Sequence, residues 1–296
     1  MSLTIRPRQR ASRTGNQTST PLRNVHATGM SIPTDHPGQA GQPYQPVRPG
    51  HRRPGLGDGS AAGGESSGPS VVASDITLVV SPRKGDSLTI LDHIDFQAWP
   101  GQVTGIVGPS GSGKSSLLYC LAGLEEVTEG SVSLLGKEIT HMRVASLTRF
   151  RRRHLGFVFQ SYNLITSMTV EENLALPFTL RGSFLPRKKA DDLLRYFGLA
   201  EQKKQSVTLL SGGEQQRVAL ARVLLSDADI VFADEPTGAL DRESGDRVIT
   251  ILADLARRSG KTVVLVTHSA EVADHCDRIV EVRDGRLGRA GGEAVA

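Results

Sequence analysis

The sequence predicts an α/β protein organised around a parallel β-sheet, and three segments carry that expectation. Val103–Val107 is a short apolar run closed by Gly108 and followed by a helix-like segment, residues 115–124. Residues 230–233 and 262–267 are two further β-branched runs with acidic or polar residues at their C-terminal ends, and a helical stretch around residues 245–257 separates them. Strands that alternate with helices pair in parallel through right-handed crossovers. Between these runs, residues 170–225 lack strand candidates and read as a helical insertion, placed at about residues 165–225 and expected to break at Pro177, Pro186 and Gly198.

With 296 residues, 38% hydrophobic, 22% charged and 4% aromatic, the chain can bury a sizeable core, which excludes collagen-like, coiled-coil and wholly disordered classes. Its apolar runs fall far short of the ~18–20 residues that cross a bilayer, so any membrane link is expected to be peripheral. Cys120 and Cys276 are too few for a disulfide framework and fit a reducing compartment.

The net charge of +4 sits at one end. Residues 1–70 hold eight Arg, no Lys and three acids, whereas residues 71–296 hold 27 basic and 28 acidic residues. A folded part without basic excess argues against a nucleic-acid partner. The run Arg149-Phe150-Arg151-Arg152-Arg153 is expected to be a solvated face with salt-bridge partners. Residues 1–70 also contain 11 Gly and 9 Pro, so they bury too little apolar surface to offset ordering entropy and read as a disordered tail ahead of one domain at 71–296. A solvated tail without a partner is the plain expectation; attraction of Arg6, Arg8, Arg10 and Arg13 to anionic lipid headgroups is the alternative. No apolar run of a secretory signal follows the basic start, and Pro7 spoils the amphipathic helix of a mitochondrial presequence.

The strongest local pattern is Gly108-Pro109-Ser110-Gly111-Ser112-Gly113-Lys114-Ser115, a phosphate loop with the required strand before it and helix after it. Its glycines let backbone N–H groups turn inward on phosphates, and the helix presents its positive end to the same anion. Lys114 supplies charge to the β- and γ-phosphates and Ser115 a hydroxyl ligand for Mg²⁺, with Ser116 counted in the same set. Downstream, the run Ile230-Val231-Phe232-Ala233 ends in Asp234 and Glu235, a strand delivering carboxylates to a sheet edge. Asp234 suits a Mg²⁺ shell and Glu235 suits orientation or deprotonation of an attacking water. The run at 262–267 leads to His268, an imidazole at the same edge.

At Leu210-Ser211-Gly212-Gly213-Glu214-Gln215-Gln216-Arg217 the chain resembles the ATP-binding cassette ATPases, whose signature motif this is. Gln160 matches that family's Q-loop glutamine, Ala239-Leu240-Asp241 its D-loop and His268 its switch histidine, over about residues 80–286. Phe157-Val158-Phe159-Gln160-Ser161-Tyr162-Asn163-Leu164, Glu171-Glu172-Asn173-Leu174 and Asp234-Glu235-Pro236-Thr237-Gly238 resemble the lipoprotein-releasing, macrolide-efflux and cell-division subfamily. Its permease is a separate chain or a fused domain.

The resemblance implies a P-loop NTPase fold: a RecA-like parallel sheet core, an N-terminal antiparallel β subdomain and a helical insertion subdomain. It implies an ATPase that binds ATP and Mg²⁺ and energises a multi-span membrane permease of the export or lipid, peptide or lipoprotein extrusion type. The alternative is a mechanotransmission ATPase whose membrane partner regulates cell-wall enzymes without transport. Catalytic roles fall on Glu235, His268 and Gln160, metal roles on Ser115, Gln160 and Asp234, and further nucleotide contacts on Ser211, Gly212, Gly213, Glu214 and Asp241. Those contacts reach the nucleotide of a second copy in an ATP-sandwich dimer, at the cytoplasmic face of a bacterial inner or plasma membrane.

One departure stands out. The family stacks adenine on an aromatic side chain about 25 residues before the phosphate loop, where this chain reads Val79-Val80-Ser81-Pro82-Arg83-Lys84-Gly85-Asp86. Weaker adenine discrimination is expected, with Pro82 or Arg83 as a substitute platform, or Tyr119 or Trp99 in compensation. The apolar group Leu176, Phe178, Leu180, Phe184 and Leu185 is expected to be either insertion core or part of a groove for a permease helix.

Overall fold

The computed structural model describes residues 68–81, 86–238 and 240–288, so of the tail expected over residues 1–70 all but the last three lie outside the described residues, and Ser70 is buried, its N–H donating to the Ala98 carbonyl at 2.8 Å. The strands are β1 (Val71–Val80), β2 (Leu88–Ala98), β3 (Val103–Val107), β4 (Glu129–Leu134), β5 (Lys137–Glu138), β6 (Leu155–Val158), β7 (Ile230–Asp234), β8 (Thr262–Val266), β9 (Arg278–Arg283) and β10 (Arg286–Gly288). The helices are α1 (Lys114–Leu121), α2 (Val144–His154), α3 (Val170–Leu180), α4 (Arg187–Tyr196), α5 (Gly212–Ser226), α6 (Arg242–Ser259) and α7 (Ala270–Ala273).

Two sheets form. The larger has the order β10-β9-β3-β8-β7-β6, with β9, β3, β8, β7 and β6 parallel and β10 antiparallel at the edge. Every residue of β7 and β8 is buried, which is why both read as continuous apolar runs without alternation. The smaller sheet, β2-β1-β4-β5, is antiparallel throughout. This is the architecture expected above, a parallel core with an antiparallel β subdomain beside it. The order of the parallel strands places the C-terminal ends of β3, β8, β7 and β6 next to one another. One sheet edge therefore receives the phosphate loop, His268, Asp234 with Glu235, and Gln160.

The insertion is helical, but it does not break at Pro177. Pro177 lies inside α3, three residues before its end. It deletes the donor for the Asn173 carbonyl, yet the helix is anchored well enough upstream to continue. Thr169 and Glu172 form a reciprocal capping box, and the Asn173 amide donates to the Ile165 and Thr169 carbonyls at 3.1 and 3.0 Å. Val170 and Leu174 are fully buried beside them. Pro186 and Gly198 do bound a helix, standing immediately before α4 and just beyond its end. The helix after the phosphate loop begins one residue early, at Lys114, and stops at Leu121, where Gly123 turns the chain with φ of +63°.

The run at residues 149–153 is the C-terminal half of α2, where cationic side chains complement the negative end of the helix dipole. Its partners differ from the salt-bridge carboxylates expected. Arg151 donates to the Gly123 carbonyl at 2.6 Å, and Arg152 to that of Leu180. Arg181 in turn donates to the carbonyls of Arg152 at 2.7 Å and Ser226 at 2.8 Å, satisfying terminal acceptors of α2 and α5 with one guanidinium.

Candidate nucleotide and metal site

The loop between β3 and α1 needs glycine for two separate reasons. Gly108 adopts φ of +145°, and a Cβ there would stand 2.1 Å from the Val282 carbonyl oxygen of β9. Gly113, at φ of +100°, would press a Cβ to within 2.9 Å of the Ile90 carbonyl oxygen of β2. The first turn of α1 carries no side-chain cap and no acid, whereas α3, α5 and α6 are each capped by Thr169, Ser211 and Asp241. The N–H groups of α1 are thus left for an external anion, and the cradle fits a phosphate group. Lys114, almost fully buried, donates to the Pro109 carbonyl across the loop at 2.7 Å.

Asp234 ends β7 with 4% of its surface exposed. Ser115 donates its hydroxyl to Asp234 Oδ1 at 3.0 Å, and Tyr119 donates to Oδ2 at 2.6 Å. Burial first, and then the bond to Asp234, push the Tyr119 hydroxyl above its ordinary range, so it stays a donor. A hydroxyl and a carboxylate are hard oxygen donors, and this pair fits Mg²⁺.

Glu235 follows with φ of +47°, an uncommon conformation for a residue with a side chain. Its N–H donates to the Val266 carbonyl at 3.1 Å, which fixes the turn. Glu235 Oε1 lies 2.8 Å from His268 Nδ1; the glutamate side chain is 13% exposed and the imidazole 72%. Holding a non-glycine residue in that conformation costs of order 1–3 kcal/mol, tolerated where it aims a functional side chain.

The structure joins some expected residues and separates others. Gln160 stands exposed just beyond β6, at the shared edge. Ser211 caps α5 and shares a reciprocal box with Glu214, whose carboxyl is held below its ordinary range chiefly by the Ser211 N–H. Ser211 and Gly212 face solvent, and among the described residues no hydrogen bond joins them to the phosphate loop. Asp241 caps α6 through the Ser244 N–H and hydroxyl at 3.0 and 2.7 Å, which lowers its carboxyl; Ala239 lies outside the described residues.

Neither aromatic suggested for adenine is free for it. Tyr119 is committed to Asp234. Trp99 precedes β3 while the phosphate loop follows it, five residues or about 17 Å away, and Arg278 covers its ring at 4.9 Å. Pro82 and Arg83 lie outside the described residues.

Two contributions escaped the sequence reading. Tyr119 follows Ser115 by four residues on a helix, so a shared face was legible, although its carboxylate partner was not. Arg222 of α5, half-buried, donates to the Tyr162 and Asn163 carbonyls at 3.2 and 2.8 Å. It pins two consecutive residues at φ of +62° and +45° just after Gln160, and burial lowers its own affinity for a proton. The Tyr162 hydroxyl also sits over Gly212, 2.9 Å from where a Cβ would be.

An α/β core with a phosphate loop, a strand-end carboxylate pair and a capped glycine-led helix defines a nucleotide-binding cassette. The family profile described as ABC transporter matches residues 91–238, and the chain belongs to that family. It is 45% identical over 210 residues to an uncharacterized ABC transporter ATP-binding protein of Mycobacterium tuberculosis, covering 69% of this chain and 84% of that one. It is 40% identical over 212 residues to the macrolide export ATP-binding/permease protein MacB of Shigella flexneri, covering 70% of this chain but only 32% of MacB. Among solved structures it resembles the ATP-binding cassette MJ0796, described as a dimeric post-hydrolysis state bound to ADP and Pi. The TM-score there is 0.70 at 36% identity, over 74% of this chain and 97% of that one.

Proposed function

We propose that this chain binds and hydrolyses ATP as a dimer and thereby drives a separate multi-span membrane permease. The observation that carries the reading is the division of the site. Phosphate loop, Ser115–Asp234 pair and Glu235–His268 pair share one sheet edge, while Ser211 and Gly212 face solvent and, among the described residues, make no hydrogen bond to that edge. A second copy supplies the missing half. The dimeric state of the related cassette supports this arrangement.

In this reading the phosphate loop, residues 108–113, with Lys114, Ser115 and Ser116 grips the triphosphate, and Ser115 with Asp234 holds Mg²⁺, Gln160 joining the shell. Mg²⁺, when bound, would neutralise charge on the phosphate oxygens. Glu235 orients and deprotonates water, and His268 steadies its carboxylate. Ser211, Gly212, Gly213 and Glu214 contribute from the opposite copy, with Asp241 near the dimer seam.

The permease belongs to the proposal for a structural reason. Of the apolar group expected in the insertion, Leu180 is 53% and Phe184 96% exposed, while Leu176, Phe178 and Leu185 are half-buried. None of the five is fully buried, and the exposed Leu180 and Phe184 offer apolar contact suited to an amphipathic membrane-protein segment. No helix among the described residues is long and apolar enough to cross a membrane. Peripheral placement at the cytoplasmic face of a bacterial inner membrane follows from the proposed partner.

Glu235→Gln tests the reading. It keeps the side-chain shape and removes the base, so ATP binding persists, turnover falls by about 10²–10⁴-fold, and nucleotide with Mg²⁺ holds a stable dimer measurable by light scattering. Turnover at the wild-type rate, or a monomer at saturating nucleotide with and without the membrane fraction, overturns it.

A further inference from the structure

The spacing of Ser115 and Tyr119 sets both hydroxyls on the face of α1 that meets the end of β7, and between them they occupy both oxygens of Asp234. Asp234 is too buried for water to set its orientation, so these two donors do. The tyrosine is itself held. Its ring packs against Phe159, centroids 6.4 Å apart, Phe159 stacks on Phe157 at 5.4 Å, and Phe157 on Phe232 at 5.8 Å. Phe232 stands two residues before Asp234 on β7, so the aromatic row closes a circuit through α1, β6 and β7.

We propose that Tyr119 is a positioning residue for the divalent-cation site, acting through Asp234 upon Ser115. With Oδ2 fixed by Tyr119, Oδ1 is turned to accept the one hydrogen of the Ser115 hydroxyl. A hydroxyl whose hydrogen is spent this way has its lone pairs left for a cation. The inference rests on reading the site as one for Mg²⁺ and a nucleotide, but the role of Tyr119 is separate from it. Partners that orient metal ligands govern metal affinity about 10–100-fold.

The test is a Mg²⁺ titration of the full chain saturated with a non-hydrolysed ATP analogue, followed by calorimetry. Tyr119→Phe keeps the ring and removes the donor. The Mg²⁺ concentration at half-saturation rises about tenfold, while analogue affinity in EDTA stays within twofold of wild type. Phe159→Leu, which loosens the packing but leaves the hydroxyl, moves the Mg²⁺ midpoint less than threefold. A Tyr119→Phe midpoint within twofold of wild type overturns the proposal, and so does an equal shift in Phe159→Leu, which would assign the effect to packing. Should Tyr119→Phe not fold, 3-fluorotyrosine placed at Tyr119 alone, with Tyr44→Phe, Tyr162→Phe and Tyr196→Phe, answers the same question. Its fluorine resonance moves when Mg²⁺ is added to the analogue complex, and an unmoved resonance overturns the role. If wild type itself takes up no Mg²⁺ with the analogue, the reading of the site falls; if wild type binds and Tyr119→Phe matches it, only the role of Tyr119 falls.

Discussion

Gly108→Ala and Gly111→Ala make a paired test of what shapes the phosphate loop. Both glycines have positive φ, +145° and +79°. Their surroundings differ: a Cβ at Gly111 meets nothing within 4 Å, whereas one at Gly108 falls 2.1 Å from the Val282 carbonyl oxygen. Normal carbon–oxygen contact exceeds 3 Å, so about 1 Å of movement is required, and Val282 is a fully buried residue of a strand paired to β3. Gly111→Ala carries the conformational cost alone, about 1 kcal/mol. Gly108→Ala carries a conformational cost of about 1–3 kcal/mol and an overpacking cost of about 1–3 kcal/mol, together about 4 kcal/mol. At about 2–4 °C per kcal/mol for a domain of this size, Tm falls about 3 °C for Gly111→Ala and about 8–16 °C for Gly108→Ala. Differential scanning calorimetry without nucleotide isolates stability from binding. Equal Tm values for the two variants would refute the claim that β9 crowds this glycine.

Thr169→Ala removes the cap of α3 at a cost of about 1 kcal/mol, read as a shift of the urea midpoint at unchanged slope. The Glu172 carboxyl in that box is held below its ordinary 4.5 chiefly by the Thr169 N–H, so its contribution is complete above pH 4.5 and fades as pH falls through the lowered folded value. Thr169→Ala keeps that N–H and loses only the hydroxyl's bond to the same carboxylate, so in acid wild type loses just the hydroxyl-borne part of its advantage over the variant. Burial pushes the thiols of Cys120 and Cys276 up to about 12 and about 11 from an ordinary 9.0, so at pH 7.5 iodoacetamide modifies the native chain at least 100-fold more slowly than the urea-unfolded chain. Equal rates would place either thiol in a reactive setting. With Tyr119 and Trp99 both committed elsewhere, kcat/KM for ATP exceeds that for GTP by less than 100-fold in a steady-state phosphate-release assay. A larger ratio would require a platform from another residue.

The phosphate loop and the strand-end acids were legible because each is a local device: its residues lie within about eight positions, and its conformation follows from glycine and strand-end chemistry. The parallel core was legible because strands buried on both faces are unbroken apolar runs. Pro177 was misread because the breaker was weighed without the Asn173 and Thr169 contacts that hold the helix upstream. The arginines of α2 were assigned carboxylates because charge is visible in a sequence, while the free carbonyls at helix ends are not.

What the sequence by itself determined is the list of chemical parts and their order: the loop, the carboxylates, the imidazole and the signature turn, each dictated by short-range backbone sterics and hydrogen bonding. Tertiary structure alone decided which parts share a face. Strand order brought Asp234 to Ser115 and Tyr119 across more than 110 residues, left Phe184 in solvent, and set Ser211 apart from the loop of its own chain. Such pairings depend on how sheets stack and helices pack, a sum of many weak contacts distributed over the whole fold, and no short stretch of residues encodes them.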